Sequence, residues 1–239
     1  MVLNFCATLL SRLFSSDCQP RDALQWWHQR QVSRLHDGAE LIRDGILQDL
    51  FAIRRSLELA HEAHEPVSQN SLRQMEALHL RLEQVSNELS PAFVRDSLPH
   101  AVQYMLQNWQ SRHPVVKLSA QLHQEQLWQP TPDSRVALTT LAELLTLIAD
   151  GLGADASLEV SLKYQENTAV LTVHLCRLGN HQCQAIAQRK ELSYLRQSFQ
   201  LLANGDAAQA VSPSEIRWQF SWPMVNDDSH NNPNDNSID

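Results

Sequence analysis

From about Asp22 to Ala63 the chain contains no proline, and its apolar residues recur at a helical interval. They fall at Val32, Leu35, Ala39, Ile42, Ile46, Leu50, Ile53, Leu57 and Ala60, in steps of three and four residues. Such spacing draws one apolar stripe along one long helix, close to a coiled-coil seam. Glu65-Pro66 ends it, because the residue before proline is pushed out of the helical region, and Ser68-Gln69-Asn70-Ser71 reads as a turn. A second stripe follows at Met75, Leu78, Leu82, Val85 and Leu89, and Ser90-Pro91 breaks or kinks that helix. Leu98 to Trp109 continues it with Val102, Met105 and Leu106. Two long helices joined by a short turn make an antiparallel hairpin. A hairpin cannot bury such stripes alone, so pairing two copies into a four-helix bundle predicts a homodimer.

The pattern changes near His113-Pro114. Val115 to Leu122 alternates like a strand, and Pro130-Thr131-Pro132-Asp133 starts a helix to about Asp150. Leu158–Tyr164 and Ala169–Leu175 alternate around the turn Gln165-Glu166-Asn167, which predicts a β-hairpin. Gln182 to Ala203 reads as one helix and Ile216 to Trp222 as a last strand. The expected fold class is therefore α+β: a long N-terminal helical hairpin, residues 21–112, then a domain over 113–225 with helices on one face of a small mixed sheet.

Residues 1–20 read as a short amphipathic helix packing on its own protein, with contact to a membrane surface or larger complex as the alternative; Arg12 interrupts the apolar run. From Asn226 the chain is rich in Asn, Asp and Ser, a disordered acidic tail over 226–239. No segment reaches 18 uncharged apolar residues, and a cytoplasmic protein is expected.

Only six glycines are present, and neither a G-x-G-x-x-G nor a G-x-x-x-x-G-K-[ST] spacing occurs, so no phosphate cradle of those kinds is encoded. The net charge is −8 and the longest basic runs are pairs, Arg54-Arg55 and Arg189-Lys190, which argues against nucleic acid as a partner. Cys6, Cys18, Cys176 and Cys183 form no C-x-x-C pair and read as reduced thiols, so no zinc site is expected. His61 and His64, with Glu62 and Glu65, read as a solvated helix end rather than a metal site.

The segment Glu40-Leu41-Ile42-Arg43-Asp44-Gly45-Ile46-Leu47-Gln48-Asp49-Leu50-Phe51-Ala52-Ile53-Arg54 resembles the phosphoacceptor helix of sensor histidine kinases of the nitrate-sensor-like subfamily. Their motif is approximately E-L-H-D-x-x-x-Q-x-L-x-x-I; Asp44, Gln48, Leu50 and Ile53 match in register, and the histidine falls on Arg43. Leu89-Ser90-Pro91 resembles the family's L-R-P, and Leu98, Ala101 and Trp109 fit the segment after it. Ala142 to Leu147 resembles the start of the ATP-binding helix, and the Val160–Leu162 and Leu171–Val173 strands fit the next hairpin. The resemblance covers about Gln29 to Pro223. It implies a dimerisation and histidine-phosphotransfer hairpin followed by an ATPase-type α/β sandwich.

The departures from that pattern are functional. The family's asparagine that holds magnesium is Leu147 here, with no ligand atom. The D-x-G-x-G expected after the hairpin is replaced by Val173-His174-Leu175-Cys176-Arg177-Leu178-Gly179-Asn180, and Gln182 to Leu195 has no glycine for the second box. ATP and magnesium binding are therefore not expected, and the chain reads as a degenerate, pseudokinase-like signalling protein.

The segment Arg30 to Gly38 imitates the family motif a second time and places His36-Asp37 seven residues before Arg43-Asp44. His36 is a candidate phosphoacceptor, which keeps a phosphotransferase or residual kinase as an alternative. Arg43 cannot accept a phosphoryl group but can pair with a carboxylate or phosphate. Arg43, Asp44, Gln48, Arg54 and Arg55 are thus the expected partner-binding face, toward a response-regulator receiver domain or another signalling protein.

Overall fold

The computed structural model describes residues 19–64, 66, 69–89, 97–123, 132–153, 155–165 and 167–224. The N-terminal helix, Cys6, Cys18, Ser90-Pro91 and the acidic tail lie outside the described residues. The chain divides into two compact units, Met1–Arg95 and Asp96–Asp239. Among the described residues no helix is long and apolar enough to cross a membrane.

The first unit is the helical hairpin. Its first arm joins α1 (Pro20–Glu40), a π-helical segment (Leu41–Ile46) and α2 (Leu47–Glu62) into one uninterrupted helix. Pro20 opens it at a position whose N–H would have no partner. The π segment falls where the stripe takes two consecutive four-residue steps, Ile42 to Ile46 to Leu50. A wider turn there keeps Ile42 and Ile46 above Ile53 instead of letting the stripe drift around the helix.

The second arm is α3 (Gln69–Leu89). Ile46, Ile53, Leu78 and Val85 form the buried seam, with Ile42 and Leu57 packed on it. Each such side chain contributes about 1.5–3 kcal/mol on burial. Arg81 donates to the Asp49 carboxylate, and the Ser56 and Ser71 hydroxyls meet at 3.0 Å, which fixes the antiparallel register.

The rest of the apolar pattern is left open. Leu35 is 62% and Phe51 71% exposed, and Val32, Leu50, Met75 and Leu82 are about half exposed. One hairpin therefore buries only part of its two stripes.

The second unit opens with α4 (Leu98–Arg112), whose Pro99 sits in the first turn. Its buried face is Leu98, Ala101, Val102, Leu106 and Trp109, and the helix packs against α5 and β1 of the same compact unit, Asp96–Asp239. Gln110 Nε2 donates to the carbonyls of His113 and Val116, tying the helix end to the strand that follows. The remaining elements are β1 (Lys117–Leu122), α5 (Pro132–Ala149), β2 (Ser157–Gln165), β3 (Thr168–Cys176), α6 (Asn180–Ala187), α7 (Lys190–Leu202), β4 (Asp206–Ser212) and β5 (Glu215–Pro223). The sheet order is β1-β2-β3-β5-β4, with β1 parallel to β2 and the other pairs antiparallel.

One face of the sheet carries Leu158, Val160, Leu171, Val173, Trp218 and Phe220, all buried, and α5 and α7 supply Leu141, Leu145, Leu195 and Phe199 to the same core. Phe199 stands edge-on to Phe220 and Trp222, with centroids 5.1 and 6.0 Å away, a favourable quadrupole arrangement. The α+β expectation holds, with two differences. The single helix expected over Gln182–Ala203 is two, α6 and α7, because Arg189 takes an extended conformation as the N-cap of α7. The edge strand β4 was not expected: Asp206-Ala207-Ala208-Gln209-Ala210 is poor in the branched residues that mark strands, and pairing with β5 supplies what propensity does not.

Candidate functional site

The motif-bearing part of the first helix coincides with its π segment. Arg43 and Asp44 sit in that segment and are exposed, and among the described residues no hydrogen bond or ion pair engages either side chain. Single-turn π segments widen the helix locally and present side chains at an altered angle. Ile46, two residues on, is buried in the hairpin seam, so Arg43 is anchored while its side chain faces solvent. Gln48 is exposed one turn further on.

Arg54 and Arg55 are also exposed but engaged. Arg54 Nε donates to Glu58 Oε1 at 2.7 Å, and Arg55 Nη1 stands 3.6 Å from Glu58 Oε2. Hydrogen bonding to Arg54 holds the Glu58 carboxyl below its ordinary value, and Glu58 holds the Arg54 guanidinium above its own. Of the five expected partner-facing residues, then, two already share a carboxylate, and Arg43 is the cation left open.

His36 lies on the exposed side of α1, with Nε2 3.2 Å from Glu40 Oε1 one turn on. Its sequence neighbour Asp37 was the expected carboxylate; the helix brings Glu40 to the ring instead, because residues four apart share a face. Among the described residues His61 and His64 take part in no metal-ligand cluster.

In the second unit the end of α5 is packed by the chain itself. Leu147 is partly buried and its carbonyl accepts a hydrogen bond from Arg189 Nη1. A helix C-terminus carries unpaired carbonyls and partial negative charge, so a guanidinium is well placed there. Ile186 of α6 presses on Gly151, close enough that a Cβ at Gly151 would sit 3.0 Å from its Cδ1. Gln182 Oε1 accepts from the Gly179 N–H at 3.0 Å and fastens the start of α6. Leu147, Gly151, Ile186 and Arg189 therefore come together at the C-terminal end of α5.

The opposite face of the sheet holds a group that sequence spacing did not single out. His174 Nε2 is 3.0 Å from Glu215 Oε2 and 3.2 Å from Cys176 Sγ, and His174 Nδ1 is 3.6 Å from Glu159 Oε2. Burial, then Glu159 and Glu215, push the Cys176 thiol up from its ordinary value. The usable signal was the two-residue step His174-x-Cys176, which places both on one face of a strand.

No family model matches the chain, and no curated protein does. Solved structures do align with it. The histidine kinase domain of a blue-light-activated histidine kinase from Erythrobacter litoralis is 14% identical, with 82% of this chain and 94% of that one covered and a TM-score of 0.46. A histidine kinase from Burkholderia phymatum is 12% identical over 82% of this chain and 99% of that one, TM-score 0.45. A bacterial phosphotransferase is 14% identical over 79% and 96%, TM-score 0.41.

Proposed function

We propose that this chain is a histidine-kinase-like signalling protein that has lost phosphoryl chemistry and acts as a homodimer by binding partners through its helical hairpin. The observation that carries the reading is the closed end of α5, where Arg189 bonds the Leu147 carbonyl and Ile186 packs on Gly151. With Leu147 where the family resemblance implies a magnesium ligand, and the end of α5 packed by Ile186 and Arg189, the second unit serves as a structural or docking module. The homodimer is supported by the half-open stripes of the hairpin. Leu50, Leu57, Met75 and Leu82 line a groove of about 650 Å³ above Ile53 and Leu78, an apolar surface that a second hairpin would cover. Arg43-Asp44 is the proposed contact to the acidic pocket of a receiver domain, with Gln48 and the Arg54–Arg55–Glu58 group at its flank.

The test combines three measurements on the full chain. Light scattering gives a dimer mass, magnesium-ATP leaves the melting temperature unchanged, and a receiver domain binds the wild type but binds Arg43→Ala at least about 10-fold more weakly. A monomer, or a saturable ATP shift, would sink the reading. A second reading, phosphotransfer to His36, is favoured by the Glu40 carboxylate 3.2 Å from its ring. Label passing from a phosphorylated receiver domain to the wild type but not to His36→Gln would establish it in place of the first.

A further inference from the structure

Strand pairing brings three metal-ligand types to one spot on the sheet face opposite the core that α5 and α7 cover. His174 and Cys176 stand two residues apart on β3, so both project from that face, while Leu175 between them is buried on the other. Residue Cys176 is paired with Glu215, the first residue of β5, in the antiparallel register. At the end of β3 the chain turns through Arg177, which has φ 62°, and Leu178 N–H bonds the Ser214 carbonyl at 3.1 Å. That turn and bond hold the end of β3 beside the start of β5. On the other side, His174 is paired with Glu159 of β2.

We propose that His174, Cys176 and Glu215 form a binding site for a divalent transition metal, zinc in the first instance. One nitrogen, one sulfur and one carboxylate oxygen from these residues all lie within 4.8 Å of one another. A tetrahedral zinc with bonds of about 2.0 Å to nitrogen and oxygen and about 2.3 Å to sulfur sets N···O near 3.3 Å and N···S near 3.5 Å. The corresponding separations here are 3.0 Å for His174 Nε2 to Glu215 Oε2 and 3.2 Å for His174 Nε2 to Cys176 Sγ. Both separations from His174 Nε2 are thus about 0.3 Å below the tetrahedral values.

Charge and ring orientation agree with the geometry. A thiolate and a carboxylate together neutralise a dication, and imidazole adds no charge. The Cys176 proton leaves to solvent as the Sγ–metal bond forms. Glu159 approaches Nδ1, the nitrogen turned away from the cluster, and a carboxylate there fixes the tautomer in which Nε2 offers its lone pair to a metal. Mixed sulfur and nitrogen donors select zinc-like ions over magnesium or calcium. Three protein donors leave a fourth position for water, as in zinc sites that keep an open coordination place. The site lies on the sheet face opposite α5, so it is independent of the nucleotide question.

The test uses the full chain, freed of any affinity tag and stripped with chelator. Zinc chloride titrated by calorimetry is expected to bind at one equivalent through these residues. Cobalt(II) should give a thiolate charge-transfer absorption. Cys176→Ser removes that absorption, Glu215→Gln weakens zinc binding by more than about 10-fold, and Glu159→Gln weakens it by about 10-fold. Cys183→Ala, at a buried position of α6, leaves the absorption intact. Circular dichroism verifies that each variant is folded, and the cobalt band of the wild type reports the thiolate whether or not a variant folds. Absence of saturable zinc binding, a cobalt spectrum without a thiolate band, or zinc affinity unchanged in folded Cys176→Ser and Glu215→Gln would overturn the proposal.

Discussion

Gly45 sits in the middle of a helix, where glycine is a poor choice unless something requires it. In a helix interior it costs about 1 kcal/mol relative to alanine, through the backbone freedom it loses on folding. Nothing within the hairpin requires it. No glycine with positive φ occurs among the described residues, and a Cβ built on Gly45 meets only Leu41 Cδ1, at 3.6 Å, an ordinary contact. Gly45→Ala should therefore stabilise the first unit by about 0.5–1 kcal/mol, a rise of roughly 2–8 °C in the transition of a unit of this size. The assay is thermal unfolding of the full chain followed by circular dichroism, at several protein concentrations. Gly45 adjoins Arg43-Asp44, so a bare backbone there suits close approach by a partner. If the hairpin docks a receiver domain as proposed, that binding should fall in the variant while its stability rises. Destabilisation by more than about 0.5 kcal/mol at every protein concentration would refute this, because it would mean that the chain's own packing needs the missing side chain.

Gly205→Ala should behave in the opposite way, losing about 2–3 kcal/mol, because the new Cβ would overlap the Ser221 carbonyl oxygen and stand 3.0 Å from Phe199 Cε1. Gly153→Ala meets nothing nearer than Gln182 Nε2 at 3.7 Å and should change stability by less than about 0.5 kcal/mol; urea denaturation compares the two. Phe199→Ala removes a fully buried ring held between Phe220 and Trp222 and should cost about 3–5 kcal/mol in the same assay.

Much of the fold was legible because its signals are periodic. The stripe from Val32 to Ala60 gave the first helix, and strict alternation gave β2 and β3 to within a residue or two at each end. What escaped was decided by tertiary contact. The π segment follows from the two consecutive four-residue steps only once Ile53, Leu78 and Val85 fix which side is buried. Strand β4 is alanine-rich and gains strand character by pairing with β5. The break between α6 and α7 comes with no proline or glycine at Gln188-Arg189; there an extended Arg189 caps α7 and reaches the Leu147 carbonyl.

The candidate sites divide along the same line. Arg43-Asp44-Gly45 was visible as a local motif, since its meaning lies in consecutive residues on one helix. Whether Arg54 and Arg55 were available to a partner was not visible, because Glu58, three and four residues on, engages both. The metal cluster was further out of reach. His174 and Cys176 alone are two residues of an alternating strand. Glu215 joins them from 41 residues beyond His174, and only because the β3–β5 register sets it beside Cys176. Shifting that register by one residue would turn Glu215 to the buried face and place Ile216 beside the imidazole. The cluster and the core are thus specified by the same alternation. Ile216, Trp218, Phe220 and Trp222 must face α5 and α7, and that requirement fixes Glu215 on the open face next to a histidine and a thiol.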